Sequence, residues 1–244
     1  MAIPKTTASP ATASSSTKSK SSTDGPIDML DSPLARAYTH AHPIIVLAIF
    51  FTTFGQLVKD PITGMLGTLV PIAVLQGLYA VICLPGTNAS QQTKGKKGKQ
   101  QDTGIGFRIV PAILSIIMSL TFGGPLLAAC LVLFGAPFTT HQIHTMLCGV
   151  HLAVLAGPPL IYVHGVDVDC WLRIVALDIP VDDVFGAALG TLLGAWIGAV
   201  PIPLDWDREW QKWPVTVLAG AYVGWAVLKM LGGTVLKGSR IRLD

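Results

Sequence analysis

The chain has 244 residues, of which 51% are hydrophobic and 13% charged, with a formal net charge of +3. A soluble domain carries roughly 25% charged residues, and with a mean hydropathy of +0.57 this chain has too little ionic surface to cover a water-soluble globule. The small, clustered positive charge gives no support to nucleic-acid binding, so the expected class is all-α, a polytopic transmembrane bundle.

Residues 1–35 are rich in Ser, Thr, Ala and Pro without an apolar run and read as a disordered cytosolic tail. No cleaved signal peptide is expected. Six helices follow within 36–236, each crossing needing about 20 apolar residues. The first covers Pro43–Val58, extended by Ala35–His42, and serves as the uncleaved insertion signal. The second covers Pro61–Leu84, with Pro at the first helical position, where its missing N–H costs nothing. A basic loop, 85–106, holds Lys94, Lys96, Lys97 and Lys99, a solvated loop or a contact for anionic head groups. The third helix, Phe107–Phe134, is expected to kink at Gly123-Gly124-Pro125. The fourth covers His141–His164, with Gly157-Pro158-Pro159 bending its end. From Ile109 to Val166 there is no Asp, Glu, Lys or Arg. The fifth, Val184–Val200, carries Gly186, Gly190, Gly194 and Gly198 at every fourth position, a spacing that lets a partner helix or a neighbour in the bundle approach closely. The sixth covers Trp213–Leu236, and 237–244 form a C-terminal tail.

Basic residues sort the two ends. Six crossings put the tail (Lys5, Lys18, Lys20, Arg36), the basic loop with Arg108, Arg173, and Lys237, Arg240 and Arg242 on one side. Only Lys59, Arg208 and Lys212 fall on the other, so both termini are expected in the cytosol. Asn88 is the only Asn and heads an Asn-Ala-Ser sequon; on the cytosolic side it stays bare. Cys83, Cys130, Cys148 and Cys170 are scattered and read as small hydrophobes. No cofactor and no metal site is indicated.

Two segments concentrate polar chemistry. The loop 201–213 begins with Pro201 and Pro203, expected to give an extended exit from the fifth helix. Asp205, Trp206, Asp207, Arg208, Glu209, Trp210 and Trp213 follow. The three Trp share one face of a short helix if Asp205 caps it. The readings are an interfacial aromatic belt, a docking surface, or, less simply, paired carboxylates for catalysis. The second segment is a stripe of His141, His144, Cys148 and His151 on the fourth helix. An interhelical polar seam is the simplest reading; a metal or a proton or head-group path is the functional one. No phosphate loop, HExxH, GxSxG or dinucleotide fingerprint occurs, and no catalytic residue is assigned.

The run Gly194–Pro214, GAWIGAVPIPLDWDREWQKWP, resembles the signature of the PIG-F family in its fungal form. It continues into Gly220–Gly224 (GAYVG), with Leu133–Pro137 (LFGAP) and Asp169–Arg173 (DCWLR) resembling further family segments upstream. The resemblance covers about residues 40–236. Glu209 stands where the family often has Pro and is not carried over as a shared acid. The resemblance implies a non-catalytic endoplasmic-reticulum membrane subunit in glycosylphosphatidylinositol (GPI) anchor biosynthesis. Its implied partners are the large catalytic ethanolamine-phosphate transferase subunits and membrane lipids, with the GPI precursor or phosphatidylethanolamine as further ones. The alternatives are a lipid transporter or scramblase, or a phosphoethanolamine transferase in its own right.

Overall fold

The computed structural model describes residues 25–86, 106–204 and 206–241. Residues 87–105 of the basic loop, with Asn88, and Asp205 lie outside these residues. Every described element is helical or a turn. Helix α1 spans Pro33–Lys59 and α2 Pro61–Cys83. A third crossing, Gly106–Leu133, is built from α3 (Gly106–Met118), a π-turn (Ser119–Gly123) and α4 (Gly124–Leu133). Then come α5 (Gln142–His164), the short α6 (Val168–Val175), α7 (Asp183–Ala199) and α8 (Val215–Gly233). Among the described residues five helices are long and apolar enough to cross a membrane, and α7, with 17 residues, is shorter. At 1.5 Å per residue, α7 covers about 25 Å, the lower limit for a crossing.

Local chemistry sets the boundaries. Ser32 caps α1 by accepting from the Ala35 N–H at 3.1 Å, ahead of Pro33. The helix therefore starts inside the segment expected as tail. Asp60 turns the chain by itself. Its N–H closes α1 on the Gln56 carbonyl at 2.8 Å, and its carboxylate caps α2 through the Thr63 N–H and hydroxyl, 3.4 and 2.5 Å away. These bonds hold the Asp60 carboxyl below the usual carboxylate range. The break at Gly123-Gly124-Pro125 takes the form of a π-turn. Pro125 has no N–H to return to the preceding turn, and Gly124 reaches back five residues to Ser119. Pro158 and Pro159 do not end α5, which runs on to His164. Sequence reading missed α6, an amphipathic helix capped by Asp167, because eight residues are too few to show a period.

The described chain ends meet at one end of the bundle, here the tail side. Leu30 N–H bonds the Cys83 carbonyl at 2.9 Å, Lys237 pairs with Asp28 at 2.9 Å, and Val181 exchanges backbone bonds with Ser239 and Gly238. Asp178 pairs there with Arg173 at 3.7 Å and Arg240 at 3.5 Å. The core lies between α1, α2, α5, α7 and α8, where Phe50 stacks on Tyr222 at 4.2 Å. The third crossing packs mainly on α5 and leaves most of its surface to lipid.

Candidate functional site

The glycine stripe of α7 faces α8 of the same chain. A Cβ placed on Gly190 would lie 2.2 Å from the Gly224 carbonyl oxygen, one on Gly194 2.2 Å from that of Gly220, and one on Gly198 2.3 Å from that of Thr216. Gly186 meets the Leu228 carbonyl at 2.5 Å in the same test, and from the other side Gly232 meets that of Asp182 at 2.2 Å. The two backbones touch along the full length of α7, so no other residue fits at these positions. Close approach compensates for the missing hydrophobic drive between helices in lipid.

The outer face of α7 is open. Leu193, Trp196, Ile197 and Val200 are exposed, Trp196 by 66%. Trp196 follows the helical spacing to Val200, and the exposed strip continues through Leu204 to Trp206, itself 52% exposed. Sequence reading passed over Trp196; its place midway between Gly194 and Gly198, two residues from each and so on the opposite face of the helix, was the available signal.

The loop 201–213 departs from expectation in two ways. Its start is turned rather than extended, because Ile202 and Leu204 keep their N–H groups and donate to Ala199 and Pro201 at 3.1 and 3.2 Å. Pro201 and Pro203 each take the third position of these turns, whose N–H plays no part in the closing bond. The short helix is a single 3-10 turn, Glu209–Gln211, preceded by Arg208. The unforeseen organiser is Gln211, which is buried. Its amide donates to the Pro201 and Leu204 carbonyls at 2.8 and 2.7 Å and accepts from the Arg208 N–H at 3.0 Å. Asp207 takes a left-handed φ of 48°. Trp210 and Trp213 pack against the core, with the Trp213 indole donating to Thr145 at 3.1 Å. Trp206 remains outside, 5.9 Å from the Trp210 ring. The three Trp thus split, two inward and one outward. A concavity of about 500 Å³ opens beside the turn, lined by Asp207, Arg208, Glu209 and Lys212 among others; Glu209 and Lys212 pair at 3.2 Å.

The histidine stripe divides by depth. His141 and His144 sit at the far end of α5, rings 5.1 Å apart, with His141 exposed. Cys148 is buried. His151 is buried and bridges three helices, 2.8 Å from the Tyr222 hydroxyl and 3.0 Å from the Met65 carbonyl. Among the described residues no group of three or more His, Cys, Asp or Glu could hold a metal ion.

A second buried polar cluster went unread in the sequence. Asp183 in the first turn of α7 and Lys229 of α8 are each 3% exposed and pair at 3.5 Å. The Tyr79 hydroxyl donates to Asp183, and the Lys229 ammonium lies 3.4 Å from the Tyr79 ring centroid. His42 of α1 stacks on Tyr79 at 4.7 Å and meets the Trp225 ring edge-on at 5.3 Å. Four helices are joined through this cluster at the tail side. Next to it, Asp182 caps α7 by accepting from Val184, Phe185 and Ile27 N–H groups at 2.9, 2.8 and 3.1 Å. Burial pushes the Asp182 carboxyl above its ordinary range, against the pull of these donors.

A family model described as GPI biosynthesis protein family Pig-F matches residues 41–233. The chain is 43% identical over 238 residues to glycosylphosphatidylinositol anchor biosynthesis protein 11 of Aspergillus fumigatus, covering 83% of this chain and 80% of that one. It is 43% identical over 221 residues to the protein of the same name from Neurospora crassa, covering 88% and 80%. A human protein named GPI ethanolamine phosphate transferase, stabilizing subunit, is 35% identical over 98 residues, covering 38% of this chain and 45% of that one. No solved structure matches.

Proposed function

The chain belongs to the Pig-F family of GPI biosynthesis proteins, and from that premise we propose that it is a non-catalytic membrane subunit that binds and stabilises GPI ethanolamine-phosphate transferases. It acts in the endoplasmic-reticulum membrane with both termini in the cytosol, an orientation supported by the distribution of Lys and Arg. The human relative's name supports the role. The observation that carries the docking surface is the exposed strip from Leu193 through Trp196 and Val200 to Trp206. Trp is enriched at interface hot spots, and large apolar side chains rimmed by the polar 201–213 turn suit a partner with a transmembrane helix and a lumenal domain. The glycine face is already filled by α8, so the partner takes the opposite face.

The test is affinity purification in mild detergent from matched membranes. The wild-type chain is expected to bring down a large transferase subunit. Trp196→Ala with Trp206→Ala is expected to lower that recovery while leaving the melting temperature of the purified chain unchanged, since both side chains lie outside the core. Unchanged recovery sinks this surface; no transferase with the wild-type chain sinks the subunit reading. Phosphoethanolamine transfer or lipid movement by the purified chain alone, in vesicles, would favour the enzyme or scramblase alternative instead.

A further inference from the structure

A cavity of about 490 Å³ lies between the third crossing, α5 and α7, ending at Leu192, one turn short of Trp196 on the outer strip of α7. Its floor is made where small residues bring helices together: a Cβ on Gly157 would meet the Ser119 hydroxyl at 2.4 Å, and one on Gly123 would meet the Ala153 methyl at 3.2 Å. Phe122, Leu126, Leu160 and Leu189 form the walls, and Trp171 and Ile174 of α6 line its tail-side end. The two side-chain donors in the lining, the Ser119 hydroxyl and the Trp171 indole, already donate to the Ser115 and Gly165 carbonyls at 2.8 and 2.9 Å, leaving no free donor to hold a polar ligand. Such an apolar, preformed pocket is of ligand-binding size.

Its height selects the occupant. The lining runs from Met118 to Leu127, from Ala153 to Ile161 and from Phe185 to Leu192, about 10–14 Å of helix axis at 1.5 Å per residue. That matches one leaflet, about half of the 30 Å hydrocarbon core. A partner's transmembrane helix needs the whole thickness, and α6 lies across the tail-side end. The Trp171 indole is fixed there by donating to the Gly165 carbonyl at 2.9 Å, and Val168, Leu172 and Val175 stay exposed on α6, as in a helix lying at a membrane interface. We propose that this cavity is a lipid site that holds one acyl chain of a glycerophospholipid from the tail-side leaflet, with the head group level with α6 and the chain end near Leu126 and Leu192.

The experiment uses the full chain in nanodiscs containing phosphatidylcholine with a diazirine at a chosen acyl carbon, followed by mass spectrometry of labelled peptides. A diazirine near the carbonyl is expected to label Trp171 and Ile174, and one near the methyl end Leu126, Leu127 and Leu192. Both are expected to exceed the labelling of lipid-facing α2 residues such as Val70 and Val74. Ala156→Phe and Ala188→Phe, tested separately, fill the cavity and should cut its labelling to the α2 level. Val74→Phe should not. A melting scan keeps only variants that remain folded. Labelling no stronger than on α2, the same depth for both probes, or retention of label in folded filling variants overturns the proposal. Loss of label on co-expression with the transferase also overturns it, because the occupant is then a partner helix.

Discussion

The pair of Lys229 and Asp183 offers the sharpest test of how the tail-side end is held. At 3.5 Å and an effective dielectric constant of about 20, the Coulomb attraction is about 5 kcal/mol. Burying both ions costs several kcal/mol each, so the intact pair contributes little net stability. Removing one partner is different, because it leaves the other charge at 3% exposure without its counter-ion. Lys229→Met and Asp183→Asn are each expected to cost about 3–5 kcal/mol, a large part of the roughly 5–15 kcal/mol by which folded proteins are stable. Lys229→Met strands the Asp183 carboxylate on the Tyr79 hydroxyl; Asp183→Asn leaves the ammonium an uncharged amide and the Tyr79 ring in place of its counter-ion. The double variant Asp183→Asn/Lys229→Met is expected to recover to within about 1 kcal/mol of wild type. Equilibrium unfolding of the purified chain in mixed micelles measures all four corners of the cycle. Single variants within about 0.5 kcal/mol of wild type, the range for changes away from any critical feature, would refute the reasoning. So would a double variant as unstable as the two singles added.

Other expectations follow from the same geometry. Gly194→Ala puts a methyl 2.2 Å from the Gly220 carbonyl oxygen and is expected to cost at least the 1–3 kcal/mol typical of overpacking. Gly67→Ala, with nothing within 4 Å, is expected to be neutral or stabilising by up to about 1 kcal/mol; equal effects at the two sites contradict the ladder. Asp182→Ala removes three backbone acceptor contacts, including the one holding Ile27. It is expected to cost about 1–3 kcal/mol and to open residues 25–32 to limited proteolysis; an unchanged cleavage pattern counts against that docking. Because burial raises the Asp182 carboxyl, more protons are bound folded than unfolded between the ordinary carboxylate value and the raised one. This group's contribution is therefore full below the ordinary value and lost as pH rises through the raised one. Stability of wild type minus Asp182→Asn, followed against pH, should fall in that window; a rise refutes the assignment.

The crossings were legible because a lipid solvent demands long apolar runs, and the start of α2 because Pro61 is a local signal; the caps Asp60 and Asp182 emerged only in the structure. The glycine spacing gave the contact face of α7, though not which helix lay against it; that needed the positions of Gly220 and Gly224 in space. Pairings far apart in sequence were not legible. Nothing in the local sequence links Asp183 to Lys229, or either of them to Tyr79 or His42. Periodicity misled in the 201–213 loop. The three Trp do fit a helical face, but Pro201, Pro203 and Pro214 crowd the segment, and Gln211 gathers the intervening carbonyls into turns. The histidine stripe has a true period on α5, yet residues ten positions apart lie about 15 Å apart in depth. One end meets the polar rim and the other the core, so a shared face is not a shared site.

The ladder and the outer strip occupy opposite faces of one helix, and this couples fold to recognition. With its backbone against that of α8, α7 cannot shift toward the core, so Trp196 and Val200 are held on a rigid element rather than a yielding one. A rigid surface binds with less ordering cost, which suits a subunit whose role is to steady a larger partner. Contact and presentation can then be separated. Trp196→Ala removes contact and should weaken partner recovery with the melting temperature unchanged. Gly194→Ala leaves every outer side chain in place but pushes α7 away from α8, and should lower both. If Gly194→Ala lowers the melting temperature and leaves recovery intact, the partner does not read α7, and the docking surface has to be sought on the exposed third crossing instead.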